Sequence, residues 1–286
     1  MKFRLASALL LVLIFPGCIQ SIAIHSVGGI LDFGFQAFNE ESDLEIGRSA
    51  LASNLKLVEA LIKADPGNEK LMLYAAQGFD AYALAFAEDD SAQRARALYA
   101  RAKEYGLEAL EKRGVPRAKV DGDEAGLRQA LGELSIDDVP AVFWTALSWG
   151  SYINVSRDQT SAVADLPNVK AMMEFVMSKD STYYYGGAPL FFGTVEAITP
   201  QALGGKPERA RDFFERALAI NGGKFLLTYV YYAKTYCVQT LHQEMFDSLL
   251  NKVDQASIDV LPEARFANAV AKQKSKALRA RESELF

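Results

Sequence analysis

The sequence predicts an all-α protein, a helical solenoid of about four antiparallel helix pairs with flanking helices. Three observations carry this. A small-aromatic-small trio recurs at Ala95, Tyr99 and Ala102, at Ala171, Phe175 and Ser178, and at Ala210, Phe214 and Ala217. Its spacings of four and three place each trio on one helical face. No stretch alternates polar and apolar residues over a strand length between hairpin turns. Half of the 286 residues are hydrophobic and 23% are charged, ample for a sizeable core.

The trio matches the second helix of a tetratricopeptide unit, where small residues around an aromatic let two helices approach closely. The organising stretch runs from Tyr183 to Gly223: an aromatic cluster, an apolar helix, a Pro-Gly-Gly break and a second helix with the third trio. Stacked units of this kind form a solenoid.

Taken in order, residues 1–17 read as a signal peptide. Lys2 and Arg4 precede an apolar run from Leu5 to Phe15, too short to span a bilayer. Gly17 stands just before Cys18, as in a bacterial lipobox, although Phe15 and Pro16 are atypical. Cys18 is therefore the expected lipidation site and mature N-terminus, with residues 18–42 as tether and N-terminal helix. Several acyl chains, at about 0.8 kcal/mol per buried CH₂, would hold such a protein on a membrane.

The expected tetratricopeptide-like domain covers 43–262. Asp43 caps a helix to Ala64 with Leu51, Leu55, Val58 and Ile62 as its apolar stripe, and Asp65-Pro66-Gly67-Asn68 turns the chain. A helix from Glu69 to Glu88 follows, then one from Ser91 to Lys112. Gly114 to Asp137, rich in Gly and charge, reads as a connecting excursion with a short helix between Asp123 and Leu131. It is expected to extend from the body and to be dispensable for the helical fold. Asp137 or Asp138 opens an apolar helix to about Ser156, with Pro140 in its first turn. Arg157 to Pro167 reads as a loop. Helices from Asn168, Tyr183 to Thr199, Pro207 to Ile220, Lys224 to Leu241 and Gln243 to Gln255 complete the pairs. Residues 263–286 form the expected C-terminal capping helix.

Several chemistries find no support. A net charge of −5 argues against nucleic acid. Two Cys and two His, without metal-ligand spacing, argue against a zinc site. The Gly204-Gly205-Lys206 and Gly222-Gly223-Lys224 triplets lack the earlier Gly and the following Ser or Thr of a phosphate loop. No nucleophile-base-acid spacing is recognisable around Ser151, Ser156, Asp158 or His242. The expectation is a non-enzymatic protein without cofactor or metal, and Cys237 reads as a buried, inert thiol.

The stretches WTALSWGSYINVSRD, YYYGGAPLFFGTVEAITPQALGGKPERARDFFERALAINGGKFLLTYVYYAKTYC and EMFDSLLNKV resemble the T component of tripartite ATP-independent periplasmic (TRAP) transporters. The resemblance covers roughly Asp43 to Asp254. It implies a tetratricopeptide-like lipoprotein on the periplasmic face of a bacterial membrane, with a hydrophobic channel. It also implies a periplasmic substrate-binding protein as partner, an apolar ligand such as a fatty acid, and self-association, trimers included. The alternative is a repeat scaffold for envelope protein assembly, without a ligand channel.

Seven residues are candidates for that channel: Trp144, Trp149, Asn154, Tyr184, Phe192, Lys224 and Tyr231. They come from helices expected to be neighbours. An amide or ammonium on an apolar face costs free energy unless it is paired, so Asn154 and Lys224 make better sense near a cavity mouth than in a core. The aromatics would hold an alkyl chain and Lys224 would meet a carboxylate.

Overall fold

The computed structural model describes residues 30–200 and 204–286. Every regular element among them is a helix, as the sequence predicts. Cys18 and the signal-like run lie outside the described residues.

Helix α1 covers residues 30–39, and α2 is Leu44–Ala64. Asp43 caps α2 by accepting from the Glu45 and Ile46 amides, satisfying donors that a helix start leaves free. Leu51, Leu55, Val58 and Ile62 are buried, the stripe read from the sequence. Helix α3, Glu69–Phe86, starts on an Asn68 cap and is buried around most of its circumference, so it runs through the interior. Helix α4, Ala92–Lys112, starts on Ser91 and packs tightly against α3.

The segment after α4 departs from expectation. It does not extend from the body. Its helix α5, Glu124–Gly132, capped by Asp123, packs against the helix of Leu166–Lys179. Val115, Val120, Leu127, Leu131 and Leu134 join the central apolar core. Val120, Leu127, Leu131 and Leu134 are separated by seven, four and three residues, a helical spacing, but the Gly and charged residues among them dominate a sequence reading.

Helix α6, Val139–Asn154, follows a single 3₁₀ turn on a Ser135–Asp138 capping box, with Pro140 in its first turn. The expected loop after it contains a short helix, Thr160–Ala164. Helix α7 is Leu166–Lys179. The trios of α4 and of α9, Pro207–Asn221, are fully buried. In α7, Ala171 and Phe175 are buried but Ser178 is exposed and donates to the Phe175 carbonyl.

Helix α8, Tyr183–Ile198, is not continuous. Tyr184, Tyr185 and Gly186 take left-handed conformations with φ of 47°, 60° and 81°. Left-handed backbone crowds a Cβ, so two consecutive tyrosines there are strained. The turn carries Tyr184 into a cluster with Phe143, Trp144 and Phe225, at ring separations of 5.5, 4.7 and 5.7 Å. Gly187 permits it, because a Cβ there would lie 2.5 Å from the Phe143 ring.

Helix α10 begins as Leu227–Tyr231 and continues as a π-helix over Tyr232–Cys237. Tyr232 stacks on Phe214 of the α9 trio at 4.5 Å. The Cys237 thiol is buried and pushed up to about 12 by that burial, consistent with inertness. Helix α11 is Gln243–Gln255.

Helix α12, Arg265–Ala280, is more than a cap. It reaches back to the end of α3: Gln273 donates to the Ala85 carbonyl, and Lys274 Nζ lies 2.9 Å from an Asp89 oxygen. Phe266 packs against Phe38 of α1 and Phe86 of α3. The last helix thus closes on the first ones, and the space between is enclosed.

Candidate ligand cavity

That space is a cavity of about 460 Å³, within the roughly 300–1,000 Å³ usual for small-molecule sites. Its wall is mostly apolar. Phe143, Trp144 and Leu147 come from α6, and Leu190 and Phe191 from α8. Tyr231 belongs to α10, and Phe266 and Val270 to α12. Sequential helix pairs alone would not build this wall; the return of α12 completes it. Exposed lining residues lie beyond the ends of α6 and α8 (Arg157, Val163 and Pro200) and at the end of α1 (Asn39).

Of the seven candidates, Trp144, Asn154, Tyr184 and Tyr231 line this cavity. The Trp144 indole N–H donates to the Tyr183 hydroxyl at 3.2 Å, which fixes the ring. Asn154 uses its side-chain and backbone oxygens to accept from Arg157. The other three lie elsewhere. Trp149 faces a small polar cleft, donating to Asp165 at 3.1 Å under the Lys103 ammonium 4.1 Å from its ring. Phe192 stacks on Phe213 at 5.4 Å in the core. Lys224 is exposed at the α9–α10 connection, where its carbonyl accepts from Asn268. The neighbouring cation in the cavity wall is Arg157.

Two buried carboxyls on the α3 side of the wall were not singled out by the sequence reading. Glu88 accepts from the Tyr99 hydroxyl at 2.8 Å and from Lys234 Nζ at 3.0 Å, with Lys274 Nζ at 4.0 Å. Burial opposes its charge, but the two ammonium groups outweigh it and hold its carboxyl below the ordinary value. Asp80 is different. It is 5% exposed, and its Oδ1 is buried without a hydrogen-bond partner. Burial, reinforced by Glu88, pushes its carboxyl up to about 7, although Ser151 and Ser148 pull it partly back. A sequence signal for it exists: Asp80 is a lone acid inside GFDAYALAF, on a helix apolar around most of its turn.

A family model for the TRAP transporter T-component matches residues 40–286. The chain belongs to the T-component family. The assignment made from the aromatic and Gly-rich stretches is therefore correct, and the protein is a transport accessory component associated with the periplasm. An uncharacterized protein of Treponema pallidum (strain Nichols) is similar to this T-component, at 24% identity over 268 residues, 88% of this chain and 83% of that protein. No helix among the described residues is long and apolar enough to cross a membrane. Nor do those residues contain a group of three or more His, Cys, Asp or Glu arranged to hold a metal ion.

Proposed function

We propose that this T-component holds an amphipathic organic ligand in the cavity and, docked on a periplasmic substrate-binding protein, helps deliver it for transport. Lipidation at Cys18 would keep it at the membrane while doing so, and self-association would serve the same assembly. The observation that carries this reading is the cavity itself. Aromatic and aliphatic side chains from helices far apart in sequence enclose about 460 Å³, and a strained tyrosine turn supplies part of the wall. Strain of this sort persists where the surrounding structure enforces it, and it clusters at functional sites.

The apolar wall suits an alkyl chain. Arg157, whose only hydrogen bonds among the described residues go to the neutral Asn154, suits a carboxylate at the opening. Arg157 takes the role that the sequence reading gave to Lys224.

Binding of a fluorescent fatty acid to the purified protein tests this. Trp144→Ala should weaken binding about tenfold, by removing a large part of the apolar wall. Arg157→Ala should weaken a carboxylate ligand more than its methyl ester, and Lys224→Ala should change neither. Absence of binding by the wild type would refute the cavity as a ligand site. Co-purification with the substrate-binding protein of the same transporter tests the partner, and loss of membrane association in Cys18→Ser tests the anchor.

A further inference from the structure

Helix α3 and the turn that follows it present two acidic residues to the same cavity, Asp80 and Glu88, and they are treated very differently. Glu88 has a tyrosine hydroxyl and two ammonium groups around it. Asp80 is 5% exposed, its Oδ1 is buried without a hydrogen-bond partner, and beside it stand the hydroxyls of Ser148 and Ser151 but no ion-pair partner among the described residues. Counting the charges here, Asp80, Glu88 and Asp89 face Lys234 and Lys274. Arg157 of the same wall also feels Glu88, and of the two carboxyls that line the cavity Asp80 is the one without an ion-pair partner among the described residues.

Ser148 Oγ, next to Asp80, is likewise buried without a hydrogen-bond partner. The hydroxyls of Tyr184 and Tyr231 also line the cavity and make no hydrogen bond among the described residues. Burial raises the pKa of both hydroxyls and the charge of Asp80 adds to it, so the three groups share one neighbourhood. Ser151 of α6 lines the same cavity. Buried polar groups in proteins are nearly always paired, and an apolar residue at position 80 would cost less than an unpaired carboxyl. Asp is also a poor helix former in mid-helix. Packing does not account for this residue.

We propose that Asp80, with the hydroxyls of Ser151, Tyr184 and Tyr231, is a polar recognition site inside the apolar cavity that accepts a hydrogen bond from a hydroxyl on the ligand's chain. The ligand class is then a hydroxylated amphiphile rather than a plain alkyl acid. A carboxylate head is repelled by Asp80 and belongs at Arg157, so the hydroxyl sits on the buried part of the chain. Without Asp80 a hydroxyl would be a handicap, because burying it unpaired is unfavourable. With Asp80 it becomes an advantage. This inference rests on the cavity being a ligand site.

The test is isothermal titration of the purified protein with dodecanoate and with dodecanoates carrying a hydroxyl at carbon 8, 10 or 12. At pH 8, where Asp80 is mostly ionised, at least one hydroxylated chain should bind about tenfold tighter than dodecanoate, the gain from one hydrogen bond to a charged acceptor. In Asp80→Leu the order should reverse, with dodecanoate bound at least as tightly as before, and circular dichroism reports whether that variant folds. Asp80→Asn, which keeps an acceptor oxygen and the shape, should retain part of the preference. If dodecanoate binds and no hydroxylated chain gains, Asp80 is a structural carboxyl and the inference is overturned, with the cavity reading intact. If nothing binds, both fall together.

Discussion

Replacing Asp80 by Asn should stabilise this protein, by an amount that grows with pH. The carboxyl ionises near 3.8 in the unfolded chain and near 7 in the folded one. Between those values the unfolded state has released its proton and the native state still holds it. Stability therefore falls as pH rises, by about 1.4 kcal/mol per pH unit. The contribution is fully present below the unfolded value and is lost as pH climbs towards 7. Roughly three decades of proton activity separate the two, so the wild type forgoes about 4 kcal/mol by neutral pH. Asn has no proton to lose. The other groups around Asp80 do not imitate this profile. Glu88 is held below its ordinary value, and the hydroxyls of Tyr99, Tyr184 and Tyr231 are pushed above theirs. Urea unfolding of both proteins at pH 4.5, 5.5, 6.5 and 8 measures the difference. It should be small at the lowest pH, widen to about pH 7 and then level off. A difference that stays flat within ~0.5 kcal/mol would refute the claim that Asp80 is buried without a compensating partner.

Lys274 is 4% exposed and pairs with the partly exposed Asp89 and, at 4.0 Å, with Glu88, which keeps Lys234, so Lys274→Met should cost about 1 kcal/mol; urea unfolding would reveal it, and an unchanged midpoint would mean that α12 does not hold the end of α3 through this contact. Gly106 lets α4 lie against α6: a Cβ there would stand 2.7 Å from Thr145 Oγ1 and 2.8 Å from its Cα. Gly106→Ala should therefore cost about 1–3 kcal/mol, because backbone atoms cannot step aside as a side-chain tip does; a thermal midpoint equal to that of the wild type would contradict this close approach.

The sequence by itself determined the helices and their packing faces. The stripe of α2 and the trios of α4 and α9 are buried as their periods require, because a helix fixes which residues share a side whatever it packs against. The caps at Asp43 and Ser91 are local hydrogen bonds and were legible for the same reason. The aromatic and Gly-rich stretches sufficed for the family. Four of the seven candidates lie in the cavity wall because they sit on the faces of α6, α8 and α10 that meet there. Helical period also allows a core position and an exposed one, and Phe192 and Lys224 took those. Only the tertiary structure decided the rest. The left-handed turn at Tyr184–Gly186 is imposed by Phe143 and Phe225, which are distant in sequence. The five aliphatics after α4 are thinly spread among Gly and charged residues, and become core only where α7 and α6 meet them. Asp80 lies on α3 and Glu88 two residues past its end, with nothing in their immediate sequence to say which will be paired. What separates them is the return of Lys234 and Lys274 from the far end of the chain, which reaches Glu88 and leaves Asp80 unpaired.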